Sequence, residues 1–149
     1  MYKNIILTLV LVGAITVTVN GQNKKKLRWL TNIEEAQKIA SNQHKKILVY
    51  FSGSDWCMPC QELKNEVLSS EIFKNKALLD YVLVNIDFPR SRRKLTKERI
   101  NYIEKIAEKY NNSGAFPFVA VLNNKAEMIK AIDGYKSETA AYYIENYLK

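Results

Sequence analysis

Cysteine is almost missing from this chain: 149 residues hold two, Cys57 and Cys60. Histidine occurs once, as His44, far upstream in a Lys-rich turn. A structural zinc site takes about four ligands, so a metal site would have to be shared between chains, and none is expected. Haem attachment wants His directly after the second cysteine, and Gln61 stands there. Glycine is scarce too, with five residues. None clusters at a strand-to-helix turn, so a phosphate-binding loop has no candidate. The chain shows no internal repeat and no low-complexity tract.

Acidic residues are outnumbered, 15 against 23 Lys and Arg, for a formal net charge of +8. A basic surface can attract nucleic acid or anionic lipid. The lysines are scattered along helical faces rather than gathered in a stripe, and no nucleic-acid partner is expected. The densest cluster is Arg90, Arg92, Arg93, Lys94, Lys97 and Arg99, beside Pro89. It reads as a solvated loop leading into a helix, with an acidic-partner patch as the alternative.

Long apolar runs are absent except at the start. Lys3 is followed by an apolar or small stretch from Ile5 to Val19, then Val19-Asn20-Gly21. This is the pattern of a secretory signal peptide over residues 1–21, cleaved before Gln22. The apolar core is shorter than the about 20 residues of a spanning helix; the alternative is a leader that stays attached as an anchor. Residues 22–26 form a basic linker, and 27–149 one domain long enough to bury a core.

In an exported protein a cysteine pair is by default a structural disulfide. Trp56-Cys57-Met58-Pro59-Cys60 argues otherwise, because a bridge closing so short a loop restrains the unfolded chain little. The apolar run Ile47–Phe51 before it reads as a buried strand. After it, Cys60, Leu63 and Val67 recur at helical spacing. The pair therefore lies at the first turn of a helix, where unpaired N–H groups and partial positive charge stabilise a thiolate.

The remaining elements follow from pattern. Leu27–Leu30 is a short edge strand around Trp29, and Thr31 with Glu34 forms a capping box ahead of Ile33, Ala36 and Ala40. Ser70 opens a short helical turn through Phe73. Tyr81–Ile86 is a strand, and Ile100, Ile103, Ala107 and Tyr110 mark one face of a longer helix. Phe118–Leu122 and Met128–Ile132 form a hairpin through Asn123-Asn124-Lys125. Ser137 and Glu138 start a last helix that packs Ala141, Ile144 and Leu148. Alternating strands and helices build a parallel sheet covered on both faces, with an antiparallel edge from the hairpin.

With this order in place, the sequence resembles the thioredoxin superfamily, and is especially similar to exported thioredoxin-like domains with a Ser-Asp-Trp-Cys-x-x-Cys signature. The resemblance rests on Ser52-Gly53-Ser54-Asp55-Trp56-Cys57-Met58-Pro59-Cys60, Val84-Asn85-Ile86-Asp87, Ala115-Phe116-Pro117-Phe118 and Gly134-Tyr135, and spans essentially residues 27–149. It implies a three-layer α/β/α sandwich around a mixed central sheet, and thiol–disulfide exchange that needs no cofactor. Cys57 is then the exposed attacking thiolate and Cys60 the resolving thiol. Trp56 covers the site, Met58 and Pro59 shape it, and Pro117 is cis, freeing the Phe116 backbone to pair with a client chain.

The sequence departs from the family at the buried acid and its partner lysine, whose positions hold Tyr50 and Leu83. Both are lost together, so no unpaired charge is left buried. Asp55 or a water is then the candidate proton acceptor for Cys60. The Met58-Pro59 pair is neither the common reductase pair nor an oxidant pair with His. The resulting expectation is a monomeric reductase or isomerase, periplasmic or secreted, acting on disulfide-containing exported proteins and supplied by a membrane electron donor. The rival is a binding module with a fixed disulfide; a third reading is a membrane-tethered thiol shuttle or haem-maturation component.

Overall fold

The computed structural model describes residues 26–149. The leader, its cleavage point and the linker up to Lys25 lie outside the described residues. Among those described, no helix is long and apolar enough to cross a membrane.

Five strands form one sheet in the order β1-β3-β2-β4-β5. They are β1 (Trp29–Leu30), β2 (Lys46–Ser52), β3 (Tyr81–Asp87), β4 (Phe118–Leu122) and β5 (Met128–Asp133). The first three run parallel, while β4 is antiparallel to both β2 and β5. The central strand β2 reads Lys-Ile-Leu-Val-Tyr-Phe-Ser, an unbroken apolar stretch because both of its faces are covered.

One face carries α1 (Ile33–Gln43) and α4 (Lys97–Tyr110), whose Ile33, Ala36, Ala40, Ile103, Ile106 and Tyr110 pack on Ile47, Val49, Phe51 and Val84. The other face carries α2 (Met58–Glu62) with its continuation Leu63–Leu68, α3 (Glu71–Asp80) and α5 (Ala140–Tyr147). Their Cys60, Leu63, Val67, Phe73, Ala77 and Tyr143 pack on Leu48, Tyr50, Leu83 and Val119. This is the expected three-layer sandwich around a mixed sheet.

Several local expectations need correction. The cap of α1 is Asn32, whose side chain accepts from the Glu35 N–H at 2.8 Å. Thr31 instead offers its carbonyl to Arg99, and Glu34 is held by Tyr102. The strand expected over Leu27–Leu30 is confined to the two residues that pair with β3. The helix opened by Ser70 runs ten residues rather than one turn, because Phe73 and Ala77, one turn apart, both bury against the sheet. The last helix begins at Ala140 behind a Thr139 cap, and Ser137 holds a left-handed backbone that cannot start it. Ala141 is exposed; Tyr143, two positions on, faces the core.

Candidate active site

The site forms where β2 ends. Phe51 is buried, and the chain then turns through Gly53, whose lack of a side chain admits the Trp56 indole. A Cβ built there would lie 2.2 Å from Trp56 Cε2. The Cys57 N–H closes this turn on the Gly53 carbonyl at 2.9 Å.

Cys57 is the N-cap of α2, with extended backbone, and its Sγ accepts the N–H of Cys60 at 3.2 Å. A sulfur therefore takes the place usually held by a Ser, Thr or Asp oxygen at a helix start. The two cysteines form a disulfide, with Cα atoms 5.2 Å apart. Pro59 sits in the first turn, where its missing N–H leaves no partner wanting. Beyond Glu62 the helix widens into a π-helical turn over Leu63–Leu68, which no feature of the sequence announced.

Cys57 was expected to be exposed; in the disulfide form it is 4% exposed and Cys60 1%. The sulfur is turned inward onto Cys60 while its neighbours stand out, Trp56 at 41% and Met58 at 64%. The indole N–H of Trp56 donates to the Phe88 carbonyl at 2.6 Å. Phe116 packs edge-on against both Trp56 and Phe88, with centroids 5.3 and 5.4 Å away. The Phe116–Pro117 bond is cis. Among the described residues, no hydrogen bond engages the Phe116 backbone, whereas the Pro117 carbonyl accepts from Gly134 N–H at 2.9 Å.

A cavity of about 520 Å³ reaches Cys60; its polar lining includes Tyr50, Ser52, Gln61, Lys64 and Asn85. The Tyr50 hydroxyl donates to the Cys60 carbonyl at 2.7 Å. Burial, followed by the Asp87 charge, pushes the Tyr50 phenol well above its usual range, so it stays protonated. Ser52 Oγ lies 3.1 Å from Asp87 Oδ1, which also accepts from the Ser54 N–H. Leu83 is buried below.

Asp55 does not reach this cavity. Its Oδ1 accepts the Arg90 N–H at 2.8 Å, which ties the active-site loop to the segment after β3. The structure thus gathers Trp56, Cys57, Cys60 and Phe116 into one site with Met58 and Pro59, and leaves Asp55 on its outer rim. Ser52, Asn85 and Asp87 were missed as companions of Cys60, and Tyr50 was noted only as standing where the family has its buried acid. Only the alternation of β2 and β3, which puts Tyr50 opposite Asn85, could have signalled them.

A thioredoxin-like family profile matches residues 28–124. The chain belongs to the thioredoxin-like family. The disulfide bond reductase DsbH of Chlamydia pneumoniae is 29% identical over 118 residues, covering 79% of this chain and 69% of that protein. The thioredoxin-related protein DsbJ of the same organism is 26% identical over 122 residues, but this chain spans only 34% of its length. A solved DsbH oxidoreductase superposes with a TM-score of 0.72 at 25% identity, over 80% of this chain and 81% of that one. A thioredoxin from Thermus thermophilus, at 21% identity and TM-score 0.59 over 80% and 82% of the two chains, shares the fold. A Cys-x-x-Cys pair in this fold, closed at a helix tip, makes the protein a thiol–disulfide oxidoreductase whose substrates are disulfides.

Proposed function

We propose that the protein works as a reductase of disulfides in exported proteins. Cys57 is the nucleophile: as a thiolate it attacks one sulfur of a client disulfide, and the other client sulfur leaves. Cys60 then gives up its proton and attacks Cys57 Sγ, releasing the second client thiol and leaving the Cys57–Cys60 disulfide. Two electrons pass from the dithiol to the client, and a membrane electron donor restores the dithiol.

The observation that carries this reading is the Cys60 N–H aimed at Cys57 Sγ. The same hydrogen bond, with the positive end of α2, stabilises a thiolate at that position. The reducing direction rests on the similarity to a disulfide bond reductase. The Phe116 backbone, unbonded beside the aromatic wall, suits pairing with an extended client. The polar cavity behind Cys60 supports water as carrier of its proton, in preference to Asp55. The leader supports export of a protein that begins at Gln22, which the mass of the mature N-terminus checks.

Cys57→Ser abolishes reduction of insulin, and Cys60→Ser accumulates mixed disulfides; full activity in the Cys57→Ser variant overturns the assignment. The low exposure of Cys57 favours one rival, a binding module whose disulfide never opens. A reduction potential below roughly −300 mV would support that rival.

A further inference from the structure

The basic segment Arg90–Arg99 does not stand apart from the redox site. The Phe88 N–H donates to the Ser52 carbonyl at 2.7 Å, Trp56 donates to the Phe88 carbonyl, and Arg90 donates its N–H to Asp55. These bonds fasten the start of the segment to the loop that presents Cys57. Between them opens a cleft of about 400 Å³, lined by Trp56, Phe88, Pro89, Arg90, Arg92 and Phe116. Its walls are aromatic and its rim cationic, with the Arg92 guanidinium 6.0 Å from the Phe88 ring centroid.

The charges of the segment are not absorbed by the fold. Arg92 pairs with Glu104, and the Arg99 guanidinium donates to the Thr31 carbonyl. Among the described residues, Arg90, Arg93, Lys94 and Lys97 have no ion pair. Asp55, Asp87 and Glu98 keep their charge but direct their hydrogen bonds to Arg90 N–H, to Ser52 and Ser54, and to Thr96, and none forms an ion pair with these side chains. Four exposed cations thus remain along the segment; Arg90 lines the cleft, and Arg93 and Lys94 follow it closely in the chain. Such a surplus attracts an oppositely charged partner and raises its encounter rate.

We propose that this loop is a client-docking element, which selects disulfides flanked by acidic residues. The inference rests on the thiol–disulfide reading of Cys57 and Cys60 and adds the client's chemistry to it. An apolar client side chain enters the aromatic cleft, and acidic neighbours meet Arg90, Arg93 and Lys94. A polypeptide is favoured over an anionic membrane because Arg90 and Arg92 border a cleft that shares Trp56 and Phe116 with the redox site. A chain bound at Cys57 therefore passes beside them.

The test uses the full chain in reduced form and three peptides with one common disulfide, flanked by Glu, by Gln or by Lys. At about 20 mM salt the Glu peptide is reduced about tenfold faster than the Lys peptide, and the ratio falls towards one at about 500 mM. In the variant Arg90→Glu/Arg93→Glu/Lys94→Glu the order inverts. Equal rates at low salt, or an unchanged preference in the variant, overturn the proposal. Binding of phosphatidylglycerol vesicles with no discrimination among the peptides overturns it in favour of a membrane surface. If even the Gln peptide is not reduced, the redox reading fails instead. Docking is then decided by salt-sensitive binding of the Glu peptide to the oxidised protein, whose absence overturns it.

Discussion

The hydroxyl of Tyr50 donates to the carbonyl of Cys60 across 2.7 Å of buried space, and so ties the central strand to the second cysteine of the pair. The family's buried acid would stand at this position. Tyr50 supplies a neutral donor there, and Leu83 replaces the lysine that would have balanced a charge. The Cys60 carbonyl also accepts from Leu63 N–H, so it is not orphaned when Tyr50 is altered.

Tyr50→Phe accordingly costs about 1 kcal/mol of stability, the worth of one hydrogen bond whose acceptor keeps another partner. Urea unfolding of the oxidised protein checks the figure. A loss well above it would mean that the phenol holds more of the site than this one bond.

Gly53→Ala sets a methyl group inside the Trp56 ring, which must swing away and release the Phe88 carbonyl. The overlap costs roughly 1–3 kcal/mol. It also unfastens the aromatic wall, seen as a change in tryptophan fluorescence and slower reduction of peptide disulfides. An unaltered fluorescence spectrum would contradict the packing described.

Tyr143 is fully buried, and its hydroxyl has no hydrogen-bond partner among the described residues. An unmade buried hydrogen bond carries the desolvation penalty of its donor. Tyr143→Phe is therefore expected to raise stability by about 1 kcal/mol in urea unfolding; a decrease would show that the hydroxyl has a partner.

Alkaline pH should unfold the domain through its tyrosines. Burial, then the Asp80 charge, pushes Tyr81 up to about 12. Burial, with the hydrogen bond and charge of Glu34 adding to it, raises Tyr102 to about 12 as well. Tyr50 and Tyr143 are held higher still, chiefly by burial. Each folded value exceeds the unfolded one of about 10, so the neutral phenol is favoured by folding. The contribution is complete below about pH 10 and lost as pH rises through 12. Phenolate absorbance and circular dichroism should change together in that window; ionisation of every tyrosine of the domain near pH 10 with the fold intact would contradict the burial.

Much of this was legible in the sequence because it is local. The spacing of Cys57 and Cys60 behind an apolar strand fixes them at a helix start without knowledge of any distant residue. The cis Phe116–Pro117 bond was reachable only through family resemblance, since nothing near Pro117 dictates it. What escaped is long-range or a matter of phase. Asn32 outcompetes Thr31 as a cap by one position, and Tyr143 displaces Ala141 from the core by two. The contact of Tyr50 with Cys60 requires knowing that the strand's side chain points towards the helix. Most consequential, Arg90 looked like the start of a solvated loop until Asp55 and Trp56 were seen to hold that loop against the redox site.

The most direct test is titration of Cys57 in the reduced protein, followed by its alkylation rate against pH with Cys60→Ser as the background. A sulfur that caps α2 and receives the Cys60 N–H should ionise well below the ordinary thiol value of about 8.5. A midpoint at or above 8.5, or a thiol that alkylation does not reach, would contradict the assignment of the attacking nucleophile.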